Sequence, residues 1–392
     1  MPVTRPKFTA ARFWRMNRLF NGHVLVRRVA GIGFAAVLAS ALPCAGQVTP
    51  AAGYTPPDDT PAIKVGVTIF ADYTVNQKPK IKDADGNEVT LNQFQVARSY
   101  INVTGNISHN IAFRITPDIT RETGVGSSLS GSYVFRIKYA FAQFNLDDWT
   151  TKGSWVRIGI QQTPWVDFME GVYRYRFQGT VFSERESSAG GTQFLSSSDA
   201  GASFHYNLPG NFGDIHTGFY NGENYNKAEV NDQKAFMIRG TLRPLRPHPV
   251  LRGLRVHGFY DHDAYVKSAD RRRGIVGATF EHTNLNAGAE YLTATDQSST
   301  TKTATEARGF SIWGTPRYNG WEGLLRYDHL TPNRTLSDQK RSRTIAGLAY
   351  WFPHQGTVST ALLFDVDNAK FDGFSPAQPT QRRIAVHALV NF

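Results

Sequence analysis

The sequence predicts an all-β fold, a transmembrane antiparallel β-barrel of about 16 strands. Three observations point there. From Ile63 onward the chain runs in segments of roughly 10–14 residues in which apolar and polar side chains alternate, the weak signal of a membrane strand. The links between segments alternate between longer and shorter. After residue 50 no unbroken apolar run approaches the ~20 residues of a membrane helix. Only helices and closed barrels satisfy every backbone hydrogen bond in lipid, so amphipathic strands here imply closure.

Residues 1–46 read as a secretory signal peptide. Arg27 and Arg28 precede an apolar run from Val29 to Leu42, and Pro43, Cys44, Ala45 and Gly46 follow. Cleavage near Ala45 or Gly46 fits, and Met16 is a second candidate start because the basic region is long. Cleavage removes Cys44, the one cysteine, so no disulfide framework is expected. It also removes seven bases and no acid, and the formal charge falls from +11 to +4. The basic balance therefore does not point to a nucleic-acid partner. Residues 47–62 are Pro-rich and aperiodic and read as a linker.

The strands follow in order. In 63–74, Ile63, Val65, Val67 and Ile69 alternate with Lys64, Gly66 and Thr68. Segments 94–106 and 109–119 carry Arg98 and Arg114 on the polar parity. In 133–146, Phe135, Ile137, Tyr139 and Phe141 interleave with Arg136 and Lys138, which assigns the aromatics to lipid. In 154–163, Val156, Ile158 and Ile160 interleave with Arg157, Gly159 and Gln161. Segments 198–207, 211–221 and 233–243 come next. In 251–262, Leu254, Val256, Gly258 and Tyr260 alternate with Arg255, His257 and Asp261. Segments 272–282, 284–295 and 306–316 lead to 320–330, where Trp321, Gly323, Leu325 and Tyr327 face away from Glu322, Arg326 and Asp328. Segments 341–352, 356–367 and 381–392 complete the set. In the last, Ile384, Val386, Ala388, Val390 and Phe392 share one parity, and Arg383, His387 and Asn391 lie on the other.

The longer links are 75–93, 120–132, 164–197, 222–232, 263–271, 296–305, 331–340 and 368–380. Those between are shorter, such as 107–108, 317–319 and 353–355. Short turns at one end and long loops at the other are the habit of membrane barrels. Tyr73, Tyr133, Phe144, Trp155, Trp321, Tyr350, Trp351, Phe352 and Phe392 lie near strand ends and are expected in interfacial girdles.

Three stretches resemble the outer-membrane porins, in particular the phosphate-selective porin O and P group. F-Q-V-A-R-S-Y-I-N-V-T-G (Phe94 to Gly105) is similar to that group's early strand, with Arg98 and Gly105. R-I-G-I-Q-Q-T-P-W (Arg157 to Trp165) is similar to its strand leading into a long third loop. A terminal Phe, here Phe392, is shared with porins generally. The resemblance covers residues 63–392. It implies a 16-stranded barrel in the bacterial outer membrane, a homotrimer, and periplasmic termini with 47–62 as a periplasmic linker. It further implies a third external loop folded into the lumen and a role for Phe392 in recognition by the barrel assembly machinery. Phosphate selectivity does not follow from these motifs.

The longest link, 164–197, would then be the constriction. It holds Asp167, Glu170, Arg174, Arg176, Glu184, Arg185 and Glu186, and rings of such charges set a pore's ion preference. If Tyr173 to Phe177 is extended, Arg174 and Arg176 share a face. By alternation Arg98, Arg114, Arg136, Lys138, Arg157, Arg239, Arg255, Arg326 and Arg383 face the lumen. So do Asp72, Asp118, Asp261, Glu281, Glu290, Glu322, Asp328 and Asp365. Bases crowd the first five strands and acids the later ones, so a transverse field and a modest anion preference are expected.

The functional reading is passive diffusion of small hydrophilic solutes, with a specific channel for an anion such as phosphate as the second. An outer-membrane enzyme and a soluble β-protein come behind. No G-x-S-x-G or H-E-x-x-H motif occurs. His257, His262, His282 and His329 are scattered, and Asp261 and Asp263 flank only one of them, so no metal or cofactor is expected.

Overall fold

A computed structural model describes residues 59–185, 193–336, 338–354 and 358–392. The proposed leader, the linker up to residue 58, and Glu186 lie outside the described residues. The strands are β1 (Ala62–Lys82), β2 (Glu88–Asn106), β3 (Ile111–Arg121), β4 (Tyr133–Asn145), β5 (Trp155–Gln162), β6 (Ser198–Asn207), β7 (Gly213–Tyr220) and β8 (Ala235–Leu242). They continue with β9 (Leu254–Asp263), β10 (Arg271–His282), β11 (Leu285–Asp296), β12 (Thr305–Tyr318), β13 (Trp321–Thr331), β14 (Lys340–Phe352), β15 (Ser359–Asp372) and β16 (Gln381–Asn391). Among the described residues one α-helix, α1 (Val166–Tyr173), interrupts the series.

All 16 strands form one closed antiparallel barrel in sequence order, with β1 paired to β16. At the seam the Phe392 amide donates to the Val67 carbonyl (3.1 Å), and the Val67 amide donates back to Phe392 (3.0 Å). Closure leaves no sheet edge. The parity expected from sequence holds on most strands. Val65, Ile137, Ile158, Val276, Leu325, Phe364 and Val390 are exposed on the outside, a contiguous apolar exterior that needs lipid. Lumen-side residues such as Thr68, Asp118, Arg326 and Asp365 are buried.

Four departures have local causes. First, β1 and β2 run on past the expected 63–74 and 94–106 and meet at a turn over 83–87. Asp83 Oδ1 accepts from the amides of Asp85 (3.0 Å) and Asn87 (2.9 Å), and Gly86 takes the positive φ of 83° that the turn requires. Its apolar residues, Val75, Ile81, Val89 and Leu91, are few and form no sustained alternation, so the period did not announce it. The first long link is therefore a short turn, while the link expected to be short, 244–250, spans 243–253 and carries a 3₁₀ turn. The alternation in loop length is accordingly imperfect.

Second, β4 carries a bulge. Thr116 pairs with Tyr139 and Pro117 with Ile137, which leaves Lys138 as the extra residue. Pro117 has no N–H to offer the ladder. Past the bulge the parity flips, and Tyr139 and Phe141 turn into the lumen rather than toward lipid.

Third, two residues assigned to the girdles face inward. Trp155 is buried and stacks on His205 at 5.2 Å, and Trp351 packs on the loop inside the barrel. Tyr133, Phe144, Trp321, Phe352 and Phe392 are exposed as expected. Fourth, β15 continues to Asp372, past the expected 356–367.

Candidate pore constriction

The described parts of this link, 163–185 and 193–197, fold into the lumen and reach the far wall. Its helix begins at Val166, with Asp167 in the first turn, where an acid suits the positive end of the helix dipole. It ends at Tyr173. Arg174 is the C-cap in the left-handed region (φ 67°), with its amide bonded to the Glu170 carbonyl (2.8 Å). A non-glycine residue held there costs about 1–3 kcal/mol and persists where its surroundings over-determine it. Here Arg174 lies over the Trp351 ring (4.2 Å) and pairs with Glu322 (3.5 Å).

This cap corrects the expectation of an extended Tyr173–Phe177. The two arginines diverge. Arg176 turns back into the loop, where it meets Glu170 (2.5 Å) and Glu184 (4.0 Å). The Arg185 side chain donates to Gln193 Oε1 (3.4 Å), at the edge of the described loop. Burial pushes the Glu170 carboxyl up to about 7, against the pull of Arg176 and with Glu184 acting in the same sense as burial.

The loop is fixed to the far wall by an apolar plug and by side-chain donors. Trp165, Val166, Met169, Val172, Tyr175 and Phe182 are buried in one cluster with Leu292, Trp313 and Leu330 of the wall. Trp165 donates to Ser183 Oγ (2.9 Å) and to Glu290 Oε2 (3.1 Å). Arg239 donates to the Pro164 carbonyl (2.7 Å), Arg273 to Phe194 (3.0 Å), Arg326 to Thr180 (2.8 Å) and Arg383 to Gln178 (3.4 Å). Asn286 donates to Val172 (2.9 Å). These wall cations are also neutralised. Arg239 pairs with Asp214 (2.5 Å), Arg255 with Glu281, and Arg326 with both oxygens of Asp328 (2.8 Å each). Arg343 grips Asp367 through two bonds, and Arg383 joins it at 3.3 Å.

The near wall differs. Arg98 and Arg136 share one carboxylate, Asp118, at 2.8 and 2.9 Å. Tyr225, from the loop after β7, joins them: its hydroxyl accepts from Arg98 and donates to Asp118, each at 3.2 Å, and Arg136 lies over its ring. Arg114, Lys138 and Arg157 enter no salt bridge among the described residues. Arg114 bonds to Asn102 and Thr116 (2.9 Å each) and lies over Tyr139 (4.4 Å). Arg157 bonds to Gln143 (2.7 Å) and Gln162 (3.0 Å) and lies over Trp155 (3.7 Å). Lys138 is buried behind Tyr100, with its ammonium 3.4 Å from that hydroxyl. Gly159 carries φ 124°, and a Cβ there would sit 2.3 Å from the Ala140 carbonyl oxygen, so β5 can pass this close to β4 only with glycine.

The acids of α1 face this wall. Asp167 Oδ1 lies 3.5 Å from the Tyr139 hydroxyl, and Lys138 is an electrostatic neighbour of Glu170. A basic strip on β2–β5 thus stands opposite an acidic helix face. The sequence singled out both rows. It missed Tyr225, Tyr139 and Gln143: the first sits in a loop without periodicity, the second was displaced by the bulge, and the third is a neutral orienting group that charge patterns do not register. It also could not separate the cations that line the pore from those that fasten the loop.

No protein-family model and no curated protein matches this sequence. Solved structures match in fold. The anion-selective porin from Comamonas acidovorans superposes with a TM-score of 0.59 at 12% identity, over 85% of this chain and 100% of that one. The outer-membrane channel DcaP of Acinetobacter baumannii gives 0.55 at 11%, over 87% and 100%. Salmonella typhi OmpF, in a complex with daunomycin, gives 0.52 at 11%, over 84% and 97%. The chain therefore has the fold of the outer-membrane porins. A closed barrel of this fold with an apolar exterior belongs in the bacterial outer membrane.

Proposed function

We propose that this chain is a porin, a water-filled outer-membrane channel for passive diffusion of small hydrophilic solutes, with a modest preference for anions. The observation that carries the preference is the near wall. Arg114, Lys138 and Arg157 form no salt bridge among the described residues, and Arg98 and Arg136 have one carboxylate between them. Fixed charges in a narrow opening act more strongly than in bulk water. Positive ones lower the entry barrier for anions. Asp167, Glu170, Arg174, Arg176 and Arg185 belong to the same constriction, and the acids among them keep the preference modest.

The channel reading also brings partners. Outer-membrane lipid surrounds the barrel, and Phe392 at the seam serves recognition by the assembly machinery. The barrel works as a homotrimer; the in-vitro folded OmpT of Vibrio cholerae, similar in fold, has a trimer form. No enzymatic activity, cofactor or metal is part of this reading, and residues 1–46 are its signal peptide.

Conductance in a planar bilayer tests it. A KCl gradient should give a reversal potential of anion-selective sign, which weakens as salt rises through screening. A cation-selective or closed pore overturns the reading. Block of chloride current by phosphate at low concentration would favour the narrower reading of a phosphate-like anion channel, for which the paired guanidinium groups of Arg98 and Arg136 are the chemical argument.

A further inference from the structure

The exterior of β8–β11 carries a depression that the pore does not explain. Three glycines form its floor. Gly240 pairs with Gly258 across β8–β9, and Gly274 sits one outward row higher on β10. A Cβ at Gly240 or Gly258 would meet nothing within 4 Å. Ile238, Tyr260, Val276 and Tyr291 rim the hollow, an open depression of about 560 Å³, a volume in the ordinary range for ligand pockets, roughly 300–1,000 Å³. Followed along its own row, Gly258 leads through Val276 and Tyr291 to Phe310 on β12, so the wall carries large side chains there where β8 and β9 carry glycine.

The hollow is directional. The next outward row toward the long loops places Arg272 directly opposite His262, and the His262 ring lies parallel to Tyr260. Arg272 is half exposed and pairs with Asp270 through one nitrogen. From Arg272 to Val276 a strand rises about 13 Å. A cationic head above an apolar trough of that length matches an anionic headgroup followed by a hydrocarbon chain.

We propose that this trough is a lipid site: one acyl chain of a phosphate-bearing membrane lipid lies on Gly240, Gly258 and Gly274, and its phosphate rests on Arg272 beside His262. Parity points every residue of the site at the bilayer, so the occupant arrives from lipid and not through the pore. The assignment is independent of what the channel conducts.

Native mass spectrometry of the full barrel in a lipid-free detergent, titrated with phosphatidylglycerol, reads lipid adducts and subunit number together. Gly240→Leu/Gly258→Leu fills the trough and should raise the apparent Kd by about tenfold or more. Gly314→Leu, on β12, whose nearest neighbours lie 4.0 Å from an added Cβ, is the control and should leave the affinity unchanged. Arg272→Gln should raise the Kd by about threefold, and diacylglycerol, which lacks the phosphate, should not sense that substitution. Heat-modifiable gel migration reports folding of each variant. Where the double leucine does not fold, Gly258→Ala takes its place with a rise of about threefold. Equal affinities for the filled and control variants overturn the site. Loss of oligomers in the filled variant with lipid binding intact also overturns it and assigns the trough to a second copy of the chain.

Discussion

Both halves of the inner wall are rich in arginine, and they use it differently. On β8–β16 the guanidinium groups are spent on structure: Arg239, Arg326, Arg343 and Arg383 each hold a carboxylate, and three of them also hold a loop carbonyl. On β2–β5 the same group is stacked on aromatic rings and oriented by amides and hydroxyls, as Arg114 and Arg157 are, with its charge left uncancelled. Counting lumen arginines therefore says little about selectivity. What matters is whether the nearest acceptor is charged.

The sharpest test breaks the structural half. Arg326→Ala leaves Asp328 buried without its partner and frees Thr180 of the loop. Losing one member of a buried pair costs about 3–5 kcal/mol, expected as a lower midpoint in urea unfolding of the barrel, and single-channel conductance should rise as the loop loosens. Arg326→Met/Asp328→Leu should recover much of the stability. If the single variant unfolds like wild type, Arg326 is not a staple.

A second substitution asks whether the lipid-facing assignment holds next to the bulge. Ile137→Arg should destabilise by about 2–4 kcal/mol, and Thr68→Arg, on the lumen side of β1, by clearly less. Equal unfolding midpoints for the two would refute the assignment.

The comparison itself is tested by charge. Arg114→Gln with Arg157→Gln should move the reversal potential in a salt gradient markedly toward cations. Arg239→Gln should move it little, because Asp214 already cancels that charge. Similar shifts from both would show that pairing does not decide selectivity. Arg174→Gln with Arg176→Gln should fall between, since Arg174 is a third exposed and pairs with buried Glu322 only at 3.5 Å, while Arg176 is closely paired with Glu170.

The smallest effect is with pH. The Glu170 carboxyl titrates at about 7, above its ordinary range. Ionising it is therefore unfavourable in the folded loop, and the loop gains stability as pH falls through about 7, a gain complete below the ordinary carboxylate range. Protonation also removes a negative charge facing Lys138, so anion preference should rise modestly between pH 8 and 6. Glu170→Gln should show the low-pH preference throughout and flatten that step. A variant that keeps the wild-type pH profile removes Glu170 from the explanation.

Much of the barrel was legible because lipid imposes a period of two on the outer face, as in Val156, Ile158 and Ile160. The reading failed where that constraint was absent or broken. The β1–β2 ribbon has only scattered apolar residues, and one proline across from Lys138 reversed the parity of Tyr139 and Phe141. Asp167, Glu170, Arg174 and Arg176 were visible as charged loop residues. The helix that separates them depends on burial of Trp165 and Met169 against strands far along the chain, which no local pattern encodes.

The bond from Arg383 to the Gln178 carbonyl joins residues 205 positions apart, and it lies on the strand that completes the ring. Contacts of such separation form late and slowly. The loop is thus gripped by the last staple to be made, on the same strand whose pairing shuts the lumen. Closure and plugging become one event: a ring that zips before the loop has entered traps it on the wrong side. Arg383→Ala should then leave the finished pore nearly intact while lowering the yield of correctly plugged barrels on refolding, a kinetic signature that equilibrium conductance would not reveal.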